Sequence, residues 1–449
     1  MTHTLFFRLL SHEEKGAVLA EAVAAVREGK AVPGIVHSVD PTSFRQIPGA
    51  PFAYWVSERV RRLFTELPPF ESDGRAVRVG LQTSDDFRFV RTWWEVPPQK
   101  ILTGTPATTP EEYRRMTFEG KRWAPFAKGG AYSPYYADLH LVVNWERDGE
   151  EMKAWAGSVY ASNSHWSRNL RSVDVYFRPG LTWSLRTQQG FNMRACPHGA
   201  VFANKGPVAF ANADDLQSLL ALTNSIAFRG LVALQMTFGS YEVGVVQRSR
   251  VPKAYRDSNE NLAPLAAACV EAKQALGRPD ETSHIFTAPA LIGGSGSTLE
   301  ERGASCLAQV AQGQQQLAEN QAQIDGIVLR MYDIDAEDRR AIEESLRVDR
   351  VREANETENA ETDEDDEDEQ GDDEGDAQRF GRDVISYAYG CAVGRWDVRL
   401  ATGQRVVPRM PGPFNSLPVC SPGMLTGSDG LPLGEAPPGY PLRIDPDGT

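Results

Sequence analysis

The 449 residues suffice for two or three domains with a sizeable core, and no window approaches the run of about eighteen apolar residues that a membrane-crossing helix needs. The formal net charge is −14, yet fifteen acids and no Lys or Arg fall between Glu353 and Asp376, which leaves 46 acids against 47 bases elsewhere. The acidity of the whole chain therefore does not exclude a polyanionic partner, while five scattered cysteines without a Cys-x-x-Cys pair argue against a structural zinc site and for a reduced, cytoplasmic protein.

Residues 1–100 are expected to be mostly helical. Leu19, Ala22, Val23 and Val26 mark one helix face, stopped by Gly29 and Pro33; Val56, Val60, Leu63 and Phe64 mark another, stopped by Pro68-Pro69. No signal peptide is expected at the N-terminus. From residue 101 the pattern becomes β-rich, with strands expected at Leu139–Trp145, Val173–Phe177 and Ala200–Ala203 between Gly, Pro and Asn turns. Asn212-Ala213-Asp214-Asp215 reads as a helix start, Glu242–Val246 as a strand, and Leu262–Leu276 as a helix closed by Gly277.

Leu307, Val310, Gln314, Leu317, Gln321, Ile324, Val328 and Met331 follow at alternating spacings of three and four, a heptad seam with Gln at two core positions. The spacing predicts one long helix paired with another, Leu262–Leu276 being the nearest candidate, or packed in an ordinary bundle. The acidic run 353–378 lacks the apolar surface to fold and is expected to be a disordered insertion, or an autoinhibitory mimic of DNA. Order is expected to resume at Val384–Trp396, ahead of a Pro/Gly-rich end. The fold class is thus α+β: a helical segment 1–100, a β-rich domain 101–255, a helical spacer 256–352, the acidic insertion and a C-terminal segment 379–449.

Catalytic constellations are scarce. Leu67-Pro68-Pro69-Phe70 has the Pro-Pro of an amino-methyltransferase motif but a leucine where a side-chain acceptor is needed, so it reads as a helix stop. Gly293-Gly294-Ser295-Gly296 lacks the buried strand that precedes a dinucleotide site. Asp138, Glu151 and Lys153 have the residue types of a metal-dependent nuclease and stand as a minor alternative. By contrast, Ser158–Arg256 holds eleven Lys or Arg against four acids, a zone suited to phosphate.

One block stands out: Arg122–Gly130, with Trp123, Pro125, Phe126, Lys128 and Gly129, running on through Tyr132, Tyr135, Tyr136 and Asp138 to Asn144-Trp145. With Phe44–Gly49, Phe52–Trp55, Asp86–Phe89, Trp93-Trp94-Glu95, Arg178–Trp183, Glu281–His284 and Tyr387–Asp397, it resembles the large adenine-specific DNA methyltransferases of phage defence. These are the PglX-type enzymes of BREX, with type IIG restriction-modification and DISARM relatives. The chain is similar to the part that follows the catalytic domain, whose S-adenosylmethionine-binding turn and Asn-Pro-Pro motif it lacks.

The resemblance implies a target-recognition domain for double-stranded DNA at 101–255. It also implies a split or truncated chain that needs a methylase subunit, or other defence-system proteins, as partner, S-adenosylmethionine bound on the missing or partner catalytic domain, and no cofactor or catalytic residue in this chain. Lys128, Arg178, Arg186, Arg194, Lys205, Arg248 and Arg250 are then candidates for phosphate or guanine, Gly129 and Gly130 for letting backbone approach the DNA closely, and Asn144, Asn163, Asn169 and Gln247 for adenine edges. Trp123, Trp145 and Trp183 are expected in the core. A stand-alone DNA-binding or regulatory module is the alternative.

Overall fold

A computed structural model describes residues 3–104, 107–159, 165–187, 189–236, 239–357, 376–407 and 410–444. The two N-terminal helices form where expected, at Lys15–Arg27 and Glu58–Glu66. Ser57 starts the second by accepting from the Val60 amide at 3.3 Å, and the Pro pair stops it. The first hundred residues also supply strands. Thr4–Phe7 and Val36–Val39 make an antiparallel ribbon, and Ala76–Arg78 and Val90–Thr92 join sheets completed by later residues.

Among the described residues there are two four-stranded sheets. One runs in the order Ala76–Arg78, Val208–Phe210, Gly180–Thr182, Arg194–Cys196, antiparallel throughout. The other runs Val90–Thr92, Leu141–Asn144, Trp123–Ala127, Val201–Phe202, and its last pair is parallel. Each of these sheets thus takes one strand from the first hundred residues.

Two expected strands have other conformations. Val173–Val175 is a turn of 3₁₀ helix, entered through a left-handed Ser172 (φ 56°) and left through Phe177 (φ 69°). Its β-branched residues half-bury against a neighbouring core without a ladder to join. Val243–Arg248 is a helix, because Val245 and Val246 must both face the interior; successive strand residues would face opposite ways.

The helices Leu216–Asn224 and Ile226–Ala233 lie wholly inside the largest hydrophobic cluster. Together they have the apolar length of a bent membrane span, but here they are core helices, and no single described helix is long and apolar enough to cross a membrane. Against them pack Asn259–Gly277 and the long helix Leu299–Met331. Cys269 meets Asn320 and Leu276 lies over Gly313, so these two helices are antiparallel partners, as the seam implied.

The seam holds over its second half, where Ile324 and Val328 are buried and Leu317, Gln321 and Met331 half-buried. In the first half Leu307, Val310 and Gln314 are exposed, and Cys306 and Gly313 face inward instead, in line with buried Asn320 farther along. A straight helix of 3.6 residues per turn drifts away from a 3.5-residue repeat, and Gly313 leaves room for Leu276 to approach closely.

Of the acidic run, 353–357 ends the helix Ala336–Thr357 and Asp376 begins the helix Asp376–Ala392; residues 358–375 lie outside the described residues. The latter helix leads to Trp396, whose ring meets Phe286 at 4.5 Å between centroids. All five cysteines are buried and unpaired.

Two polar contacts tie distant segments together. Asn224 accepts from the Met193 amide (3.0 Å) and donates to the Met193 carbonyl (2.8 Å). Replacing Asn224 with Ala strands the Met193 amide in the interior, while the Met193 carbonyl keeps the Tyr135 amide, with an expected cost of roughly 1–3 kcal/mol in urea unfolding. Asp138, buried, accepts from the backbone amide of His284 (2.8 Å) and meets its ring Nδ1 at 3.0 Å. Burial alone would raise the Asp138 pKa, but His284 and His140 outweigh it and hold the carboxyl below its ordinary value. A depressed carboxyl stabilises the fold above its unfolded pKa, near 3.9, and ceases to do so as pH falls through the lower folded value. Asp138→Ala should therefore cost roughly 1–3 kcal/mol at neutral pH. That deficit should shrink below about pH 4 when unfolding is followed against pH.

Candidate nucleic-acid interface

Three chain segments run parallel into one corner. Trp123–Ala127 pairs in parallel with Val201–Phe202, and Leu81 bridges Ala203 in parallel. Their continuations, residues 82–86, 128–131 and 204–206, leave the sheet at the same end. They are packed by backbone against backbone: the Asn204 amide donates to the Leu81 carbonyl (2.8 Å) and Leu185 to Lys205 (3.2 Å), while the Ser184 hydroxyl donates to Gly130 (2.5 Å).

Glycine makes this approach possible. A Cβ on Gly206 would lie 2.6 Å from the Ala127 carbonyl oxygen and 2.7 Å from the Gly129 nitrogen. Gly129 has φ +108°, and its own Cβ would lie 2.9 Å from the Lys205 oxygen. Gly129 thus admits neighbouring backbone, whereas a Cβ on Gly130 (φ +119°) would meet only the Arg194 guanidinium, at 3.8 Å. The contribution of Gly206 and Gly129 to any interface is a rigid corner.

Lys128 pairs with Asp86, which also accepts from Thr83. Burial pushes the Asp86 pKa up, but these two hydrogen bonds overcome it and keep the carboxyl ionised below its ordinary value. Lys128 therefore braces the corner more than it offers a free cation. Asn169 joins from the side, its carbonyl accepting from Gln82 (2.9 Å) and its side chain donating to Ser84 (3.1 Å). That contact brings exposed Arg168 and Arg171 to the rim, and exposed Arg186 follows directly on the Leu185 contact. Lys205 lies in the same corner, half-buried.

The remaining candidates lie elsewhere. Arg194 is beneath the corner, 3% exposed, with its guanidinium donating to Ala131 (2.9 Å) and Ser184 (3.0 Å); burial pushes its pKa down to about 10. Asn144 is also interior and donates to Glu151 at 2.9 Å. The polar groups of both are used within the fold, so neither is presented to a partner. Arg178 lies over the Phe210 ring at the other end of strand Gly180–Thr182. Gln247 donates to Val77 and Arg250 to Leu67, at the sheet edge opposite Arg194–Cys196, with Arg248 exposed on the same helix end. Asn163 lies outside the described residues. Trp123, Trp145 and Trp183 are core residues, as expected.

Arg168 and Arg171 were not singled out from sequence. The local excess of positive charge contains them, but only the Asn169 contacts show that they share a rim with Lys128.

The nuclease arrangement is not assembled. Asp138 is held by His284 ahead of strand Leu141–Asn144, Glu151 reaches Asn144 and Arg88 at the far end, and Lys153 pairs with Asp148 (2.8 Å). Among the described residues no three His, Cys, Asp or Glu side chains gather as a metal set. The Leu67–Phe70 stretch is structural: the Leu67 carbonyl accepts from Arg250 and Phe70 is fully buried.

No family model matches the chain. It is 28% identical over 267 residues to the adenine-specific methyltransferase BrxX of Escherichia coli O9:H4 (strain HS), covering 59% of this chain and 20% of that protein. It is 28% identical over 212 residues to the adenine-specific methyltransferase PglX of Lacticaseibacillus casei (strain Zhang), covering 47% of this chain and 17% of that protein. The matched stretch thus spans about a fifth of the length of these curated relatives. Over roughly half its residues, the chain is similar in sequence to adenine-specific methyltransferases of the BrxX and PglX kind.

Proposed function

We propose that this chain recognises double-stranded DNA for an adenine-specific methylation system of the BREX phage-defence type. The observation that carries this reading is a rigid corner rimmed by exposed Arg168, Arg171 and Arg186, in a chain similar to two adenine-specific methyltransferases. Cations held on a rigid frame gain counterion-release energy from a phosphate backbone without first having to be ordered. Loops at strand ends can then reach base edges.

Methyl transfer itself belongs, in this reading, to a catalytic domain that binds S-adenosylmethionine on a partner. Leu67–Phe70, the nearest approach to an amino-methyltransferase motif, offers no side-chain acceptor and is packed into the core. Lys128, Asp86 and Arg194 hold the corner's shape, and the arginines at its rim position the duplex.

Fluorescence anisotropy with a labelled duplex over a series of salt concentrations tests the reading. Binding should weaken steeply with salt, and replacing Arg168, Arg171 and Arg186 together with Ala should lower the slope of log K against log salt by about 2–3. Salt-independent binding, no binding, or an unchanged slope in the triple variant would overturn it. Gly206→Ala should weaken binding by forcing residues 127–129 apart, and should cost roughly 1–3 kcal/mol of stability. Gly239→Ala, where an added Cβ meets nothing within 4 Å, should change neither.

A further inference from the structure

Phe87 is 93% exposed, the largest exposure of any large apolar side chain among the described residues. It sits on the short turn Asp86–Phe89, directly beside the Lys128–Asp86 pair, at the rim described above. Every other side chain of that turn is engaged. Asp86 holds Thr83 and Lys128; Arg88 bridges to Glu151 (2.8 Å) and lies over the Trp155 ring at 4.5 Å; Phe89 is fully buried.

The backbone is equally constrained. The Asp85 carboxylate accepts from the Arg88 amide at 3.0 Å, and Arg91 donates to the carbonyl of Phe87 itself at 2.6 Å. The turn is therefore braced, and the phenyl ring on it stands in water. Isolated apolar side chains on a surface are ordinary, but one carried on a braced turn, with both neighbouring side chains engaged and cations close by, has the form of a wedge. The acids of this neighbourhood are engaged within the fold, Asp85 with the Arg88 amide, Asp86 with Lys128 and Glu151 with Arg88; Arg91 at the Phe87 carbonyl, and Arg168 and Arg171 flanking the Asn169 that donates to Ser84, leave a positive surplus that matches a polyanion.

We propose that Phe87 is an intercalating side chain, which enters between adjacent base pairs of the duplex and partly unstacks them while the rim arginines hold the flanking phosphates. This rests on the DNA-recognition reading above and gives it a mode: recognition that includes deformation of the duplex at the point of insertion.

The test uses the full chain with closed circular plasmid DNA. Plasmid is relaxed with topoisomerase I in the presence of protein, deproteinised, and its topoisomers resolved; filter binding to the same plasmid is measured in parallel. The wild-type chain should shift the topoisomer distribution. Phe87→Ala should abolish the shift while still binding, with affinity lowered roughly ten-fold and the same salt dependence. Phe87→Leu, which keeps an apolar wedge, should retain the shift. Superimposable melting curves for all three chains show that the fold is intact, as expected for so exposed a position. If the wild type binds without a shift, or Phe87→Ala shifts topoisomers as the wild type does, the wedge is overturned while DNA recognition stands. If the wild-type chain binds no DNA, the recognition reading falls and the wedge falls with it.

Discussion

A polar joint at Asn224 and Gln321 ties the helix Leu216–Asn224 and the long helix to the antiparallel sheet. Asn224, at the end of helix Leu216–Asn224, completes the hydrogen bonding of Met193 just ahead of the edge strand Arg194–Cys196, as a further strand would. Gln321 on the long helix donates to the Asn224 carbonyl (3.2 Å) and to Asp325 (3.0 Å) and accepts from the Tyr135 hydroxyl. Tyr135 in turn pairs with the same strand, its amide donating to Met193 and its carbonyl accepting from Ala195. A side-chain amide at a helix seam costs packing energy but accepts only one alignment, whereas apolar side chains would tolerate sliding. The joint therefore sets where the long helix lies along the sheet.

From that joint the candidate interface follows. The strand that the joint steadies carries Arg194, whose guanidinium spans from Ser184 to the Ala131 carbonyl beneath the Lys128–Gly130 loop. A guanidinium with no carboxylate beside it is expensive to bury, and its bonds to fixed oxygens offset that cost. What is gained is shape: three loops at the end of parallel segments, locked by Gly206 and Gly129 in contacts that no other residue would permit. The rim cations need only decorate a surface that is already rigid.

Much of this was legible in the sequence. The helices at Lys15–Arg27, Glu58–Glu66 and Asn259–Gly277, and the long helix Leu299–Met331, announce themselves through periodicity and stop signals, which act locally. The tryptophans of the aromatic block were readable as core. Val243–Arg248 and Val173–Val175 were not, because β-branched runs favour strands only where a partner strand is available, and here none is. Part of the inward face of the long helix was also hidden, since Gly313 and Asn320 carry no hydrophobic signal.

For the candidate site the division is sharper. Composition located the positive charge between Ser158 and Arg256, and the motif blocks carried the resemblance, because both are properties of residue identity alone. Which cations face outward was a tertiary decision: Arg168, Arg171 and Arg186 are exposed, while Arg194, of the same chemistry, is buried as a brace. So was the gathering of residues 82–86, 128–131 and 204–206. They lie more than a hundred positions apart at the extremes, and only the parallel pairing of their strands brings them to one corner. Local sequence determines what each segment can become, and long-range pairing determines which segments share a surface, because backbone hydrogen bonds between strands carry no record of the distance along the chain.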